Sequence, residues 1–302
     1  MKNKDKIYIA GCGGMLGEAF YKVFNEDYVL KCTDIDVNEK WLSSLDFRDY
    51  CQYKKEVQEF QPNYLFHLGA HTDLEYCEVN PDDAYITNTL AVENAVHIAN
   101  ELDIPILYIS TAGIFNGRKD VYDDWDLPEP LGHYARSKYA GEFFVEKNSR
   151  RHLICRAGWM MGGGPKKDKK FIQKIMSQLK DGKRELFIVN DKLGTPTYTL
   201  DFAQNIKLLL ENKFWGLYNM ACNGVTGRYE VTKELIKVLG MENEIKITPV
   251  VSDYWKEEYF AERPDSERLI NRKLGLRGLN IMRDWRVCLV EYIKNYYRGY
   301  LD

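Results

Sequence analysis

The chain has 302 residues, 45% hydrophobic and 29% charged, a balance that allows one or two folded domains and excludes a largely disordered polymer. Its 42 basic and 45 acidic residues leave a net charge of −3, which gives nucleic acid or an anionic membrane no electrostatic footing. The seven cysteines (12, 32, 51, 77, 155, 222, 288) form no C-x-x-C pair, so neither a disulfide framework nor a metal site is expected. A charged N-terminus leads straight into a strand, and no run of 18 apolar residues follows. The expectation is a cytoplasmic protein with no membrane partner.

The first element carries the strongest signal. The β-branched and aromatic run Lys6-Ile7-Tyr8-Ile9-Ala10 stops at Gly11-Cys12-Gly13-Gly14-Met15-Leu16-Gly17, and 18–24 continues at helical spacing. Strand, glycine turn and helix in that order suit a dinucleotide. The backbone from Gly11 and Gly14 through Met15 and Leu16 to Gly17 would approach the pyrophosphate, and the first amides of the helix would bind it. The spacing is G-x-x-G-x-x-G, because Leu16 stands where G-x-G-x-x-G would need its last glycine.

Strands and helices then alternate, as in a parallel sheet wound on both faces. Strands are expected at 28–33, 62–68, 106–110 and 152–156, and helices at 81–102, opened by Asn80-Pro81, and at 132–148. Beyond Gly162-Gly163-Gly164-Pro165 the alternation loosens. Strands are expected at 186–189, 217–220 and 245–250, with helices ending near Lys180 and spanning 200–211, 229–239 and 283–298. The resulting fold class is α/β: a Rossmann-like, doubly wound parallel sheet with a smaller, mixed α/β C-terminal substrate lobe. The dinucleotide-binding domain would take residues 1–158 plus roughly 192–222, and the substrate lobe 159–191 and 223–302. Lys166, Lys167, Lys169 and Lys170 read as a solvated basic helix start, although a substrate diphosphate passing there is the alternative.

Asp34 ends the second strand 23 residues after Gly11, where a carboxylate accepts hydrogen bonds from the adenosine ribose. A carboxylate there also repels a 2′-phosphate, so NAD(H) is preferred and NADP(H) stays open; Asp36 is the understudy. Tyr134 and Lys138 share one helix face at i and i+4, where an ammonium can favour the phenolate. Spacing alone means little, since Tyr50/Lys54 and Tyr229/Lys233 repeat it. Tyr134 stands out because it follows the strand that ends at Ser110-Thr111, and ligands bind outside the carboxyl ends of such strands.

With Gly11-x-x-Gly14-x-x-Gly17, Ser110-Thr111 and Tyr134-x-x-x-Lys138 in that order, the chain resembles an extended short-chain dehydrogenase/reductase. Within that superfamily it is similar to the dTDP-4-dehydrorhamnose reductase branch. Gly69-Ala70-His71-Thr72, Asn88, Arg156-Ala157-Gly158-Trp159, Asn190 through Thr197, and Arg263-Pro264 also match. The resemblance implies that Tyr134 protonates the substrate carbonyl, that Lys138 lowers its pKa and binds the nicotinamide ribose, and that Thr111 holds the reacting oxygen. It further implies that Asp46 and Phe47 hold the adenine, that Leu68, Gly69 and Ala70 line the cofactor, and that Asn88 fixes the helix behind the site. Thr72 and Trp159 would contact a nucleotide-sugar, His71 would be structural, and a homodimer is compatible with the branch.

The implied reaction is NAD(P)H-dependent reduction of the 4-keto group of a nucleotide-activated deoxysugar. One departure matters. The branch usually follows its threonine with an aspartate and an aromatic, whereas Ala112 and Gly113 stand here. This argues against the acid pair of the 4,6-dehydratases and the cysteine of the fucose-forming epimerase/reductases. It leaves two alternatives to reduction: a non-catalytic, dinucleotide-binding regulatory subunit, and an NAD-retaining nucleotide-sugar epimerase.

Overall fold

In the computed structural model, which describes residues 4–301, six strands are labelled in chain order. They are β1 (Lys6–Ala10), β2 (Val29–Asp34), β3 (Leu42–Ser44), β4 (Tyr64–His67), β5 (Ile106–Thr111) and β6 (His152–Ala157). With the strand Gly216–Asn219 they form one parallel sheet, ordered Gly216–Asn219, β6, β5, β4, β1, β2, β3. The doubly wound parallel α/β fold read from the sequence is the one the chain forms.

Period-two alternation in β1 sends its side chains to two separate cores. Ile7 and Ile9 pack with Phe20 and Phe24 of the helix α1 (Met15–Phe24) and with Phe202 and Ile206 of the helix Thr199–Glu211. Tyr8 and Ala10 join Tyr53 and Val57 of the helix α2 (Tyr50–Phe60), Val92 and Val96 of the helix Ala91–Glu101, and Val145. Each isoleucine, valine or phenylalanine side chain among them contributes roughly 1.5–3 kcal/mol when taken from water, so both faces of the sheet must be covered. The strand order reverses between β1 and β4, which opens a crevice at their carboxyl ends.

The strand β3 and the helix α2 are absent from the sequence reading. Three residues show no periodicity, and α2 is set by its ends: the Asp49 carboxylate accepts from the Gln52 amide, and Gln61 stops it at φ 52° before Pro62. The helix expected at 81–102 is a rod of three parts: Pro81–Tyr85, a π-helical turn Ile86–Leu90, and Ala91–Glu101.

Beyond β6 the small sheets are built from short strands. Trp159–Met161 pairs with Pro196–Tyr198, and Glu185–Val189 pairs with Lys246–Val250. Leu193–Gly194 lies between Thr226–Gly227 and Ser266–Glu267. The loop after β5 is tied to residues near 266 by an isolated bridge between Tyr122 and Leu269 and by a bond from the Ser266 hydroxyl to the Asp120 carbonyl. Among the described residues no helix is long and apolar enough to cross a membrane.

Candidate active site

The loops after β1 and β4 meet at the switch point. Gly11 sits at φ +75°, and a Cβ there would collide with the Gly69 backbone; one at Gly17 would strike the Cys12 carbonyl. Gly14 differs, because nothing lies within 4 Å of where its Cβ would stand. Gly11 and Gly17 therefore close the turn, while Gly14 presents open backbone to the crevice. Gly14 is also the N-cap of α1 and has no side chain to cap the helix, so the amides of Met15, Leu16 and Gly17 are left for an anion. These residues fit a bound pyrophosphate.

At the end of β2, Asp34 lies beside this loop and holds it. Its carboxylate accepts from the Gly13 amide at 2.8 Å and the Asp36 amide at 2.9 Å. Asp46 forms a two-pronged ion pair with Arg48, which holds its carboxyl below the usual aspartate value. The Phe47 ring lies against Gly69, where a Cβ would overlap it, and edge-on to His67 at 4.8 Å. Leu68 continues β4 with its amide bonded to the Ala10 carbonyl, and Gly69 and Ala70 follow on the same loop.

The loop after β4 is fastened to the helix His133–Asn148 through Asn88, in the π-helical turn. The fully buried Asn88 amide accepts from the His71 N–H at 2.8 Å, and its Nδ2 donates to the His71 carbonyl at 3.0 Å and the Ser137 hydroxyl at 3.1 Å. The Ser137 hydroxyl in turn donates to the Tyr134 carbonyl. The extra residue of a π turn re-aims one side chain without ending the helix. The His71 ring rests 2.7 Å from the Asp83 carboxylate.

Tyr134, in the first turn of that helix, reaches the end of β5. The Thr111 Oγ1 accepts from the Gly113 N–H at 3.1 Å and closes the turn Ala112–Ile114, so Thr111 is a local cap as well as a neighbour of Tyr134. Burial pushes the Tyr134 phenol up to about 12, against a hydrogen bond to Thr111 that lowers it, and Glu267 raises it further. Lys138, expected to lower it, is not among the groups that shift it. Its ammonium donates to the Ile109 carbonyl at 2.8 Å and lies 4.2 Å from the Tyr108 ring, and burial brings it down to about 7. The phenol thus keeps its proton at neutral pH, as a proton donor must.

The lysine shift has a consequence for stability. Between about 7 and the ordinary 10.5 the unfolded chain binds a proton that the folded chain lacks, so stability rises with pH across that window. The thermal midpoint should climb over this range less steeply in Lys138→Met than in the native chain; identical slopes would show that burial leaves Lys138 charged.

On the other side of the crevice the basic run 166–170 needs correction. Only Lys166 and Lys169 are exposed. Lys167 is buried over the Trp41 ring, 3.3 Å from Glu39, and Lys170 donates to the Thr72 carbonyl at 2.9 Å and its hydroxyl at 3.0 Å. Folding brings these residues onto the first lobe, where carboxylates and carbonyls take the place of water. Trp159 lies flat on Gly194, where a Cβ would overlap its ring. Its indole N–H donates to the Glu267 Oε2 at 2.6 Å, and the Arg228 guanidinium stands 4.6 Å over it. Arg228 and Glu267 were missed in the sequence, as neither stands in a motif; Glu267 lies four residues after Arg263, which pairs with Glu75 at 2.7 Å.

The family model for the RmlD substrate binding domain matches residues 5–298. The chain belongs to that family. This RmlD-type chain is 26% identical to the spore coat polysaccharide biosynthesis protein SpsK of Bacillus subtilis, over 96% of its own length and 97% of the relative. The dTDP-4-dehydrorhamnose reductase of Bacillus anthracis, solved in complex with NADP, superposes with a TM-score of 0.87 at 27% identity, covering 97% of this chain and 99% of that one. Methionine adenosyltransferase 2 subunit beta of Xenopus laevis is 26% identical over 95% of this chain and 85% of its own. The superfamily resemblance read from the glycine turn and the Tyr-x-x-x-Lys pair is borne out, as is the branch read from stretches such as Gly69-Ala70-His71-Thr72 and Asn190 through Thr197.

Proposed function

We propose that the chain is an NAD(P)H-dependent oxidoreductase of the extended short-chain type that reduces the 4-keto group of a nucleotide-activated deoxysugar, a step in sugar-nucleotide and polysaccharide biosynthesis. One observation carries the reading: Thr111 and Tyr134 come together at the carboxyl end of β5, in the sheet whose switch point holds the glycine cradle. Bound along that crevice, the nicotinamide supplies the hydride. Tyr134 gives its proton to the carbonyl oxygen as negative charge builds there. The Thr111 hydroxyl, its lone pair engaged by Gly113, donates its own hydrogen to the same oxygen. Lys138 holds the ribose and, once charged, opposes the charge left on Tyr134. Thr72 and Trp159 receive the nucleotide-sugar.

The test is consumption of reduced nicotinamide when the protein meets a panel of nucleotide 4-keto-deoxysugars. The carboxylates of Asp34 and Asp36 disfavour a 2′-phosphate, so kcat/KM for NADH should exceed that for NADPH by about tenfold, the effect of one like-charge contact. The reading places a homodimer in the cytoplasm, where the seven cysteines, all free thiols, stay reduced. A second reading is favoured by Ala112-Gly113 and by the likeness to the Xenopus laevis subunit beta: a dinucleotide-binding regulatory subunit. It predicts tight NAD(H) binding with no turnover on any sugar. Isomerised sugar without net NADH consumption would instead identify an epimerase.

A further inference from the structure

Gly113 removes a side chain next to the reacting groups, and another part of the chain fills the opening. A Cβ at Gly113 would stand 3.1 Å from the Glu267 Oε1, 3.5 Å from the Thr111 Oγ1 and 3.8 Å from the Tyr134 Cε1. Three groups from three elements therefore surround one point. The approach of Glu267 is built into the fold: Ser266–Glu267 pairs with Leu193–Gly194, with Glu267 opposite Gly194 and Trp159 packed on Gly194. The Trp159 indole fixes one oxygen, Oε2, at 2.6 Å, and the Glu267 carboxylate acts on the half-buried Arg228 as a counter-charge. The other oxygen, Oε1, faces Gly113. Glu267 is partly exposed, so a ligand in the crevice can reach it.

A carboxylate oxygen without a hydrogen can only accept. We propose that Glu267 determines specificity: its Oε1 accepts a hydrogen bond from a hydroxyl or amino substituent on the sugar carbon next to the reacting carbonyl. The inference rests on the keto-sugar reduction proposed above. It gives Gly113 a purpose, since a Cβ there would crowd Oε1 by a few tenths of an ångström and a longer side chain would compete with the carboxylate for this place. It also gives Trp159 one, as the residue that orients Glu267 by its N–H while offering its face to the sugar.

The experiment compares kcat/KM for three nucleotide 4-keto-6-deoxyhexoses that carry a hydroxyl, an amino group or only hydrogen on the neighbouring carbon. The native protein should favour one donor-bearing substrate over the deoxy compound by on the order of 10- to 100-fold, the value of a hydrogen bond to a charged acceptor. The comparison of hydroxyl with amino substrate says which donor the site takes. In Glu267→Gln that ratio should collapse toward one. Gly113→Ala, which crowds Oε1, should erode it too and serves if the first variant does not fold. Native protein that turns over all three substrates equally overturns the inference and leaves the reduction standing, as does a ratio that survives in both variants. Native protein that consumes no reduced nicotinamide with any of the three overturns both.

Discussion

Tyr134→Phe should lower turnover by about 10²- to 10⁴-fold, the usual contribution of a positioned proton donor, and leave NADH affinity unchanged. The substitution removes one oxygen and keeps the ring, so packing against Gly113 and the helix His133–Asn148 is preserved. The phenol is suited to the role in the reducing direction because burial holds its pKa at about 12, so that it is protonated at neutral pH. Thr111 is the group that works against this, by favouring the phenolate. Binding measured by quenching or energy transfer from reduced nicotinamide, alongside stopped-flow turnover, separates the two effects. A Phe variant within a few-fold of the native rate would falsify the assignment and move the proton donor elsewhere in the crevice.

Gly11→Ala should cost about 2–5 kcal/mol of stability and abolish measurable coenzyme binding. Two causes add: a side chain at φ +75° is strained by roughly 1–2 kcal/mol, and its Cβ meets the Gly69 backbone, an overpacking worth about 1–3 kcal/mol. Gly182→Ala provides the comparison. Gly182 has φ +82° but nothing within 4 Å of the Cβ position, so it should lose only the first of the two contributions. Thermal melts of both variants, with NADH titrations, isolate the close approach of the two loops. Equal losses in the two would mean that the switch-point contact contributes nothing.

Much of this molecule is legible from local signals, and the exceptions share a cause. Lys6–Ala10 could be read because β-branched alternation ends at a glycine turn, and the later strands because long apolar runs between helices form parallel sheets. The Tyr134/Lys138 pair could be told from its duplicates only by position. Tyr50/Lys54 and Tyr229/Lys233 are cation–π pairs, with Lys54 also bonded to Glu101. By contrast, the strands Leu193–Gly194, Thr226–Gly227 and Ser266–Glu267 have two residues each, too few to show any period. The lysines at 166–170 were misjudged because charge patterning reports composition, whereas burial of Lys167 depends on Glu39 and Trp41, more than 100 residues away in the chain.

By itself the sequence determined the parallel sheet and the glycine turn that opens it, because each is written in neighbouring residues whose periodicity or stereochemistry is local. Only the tertiary structure decided how Tyr134 is surrounded: the π turn that aims Asn88, the carbonyl that takes the Lys138 ammonium, and the carboxylate of Glu267 beside Gly113. Those contacts join residues 17 to 154 positions apart, and no local rule of spacing relates them. They exist because sheet pairing and core burial fix the backbones first, and side chains from distant segments then share whatever space and charge remain.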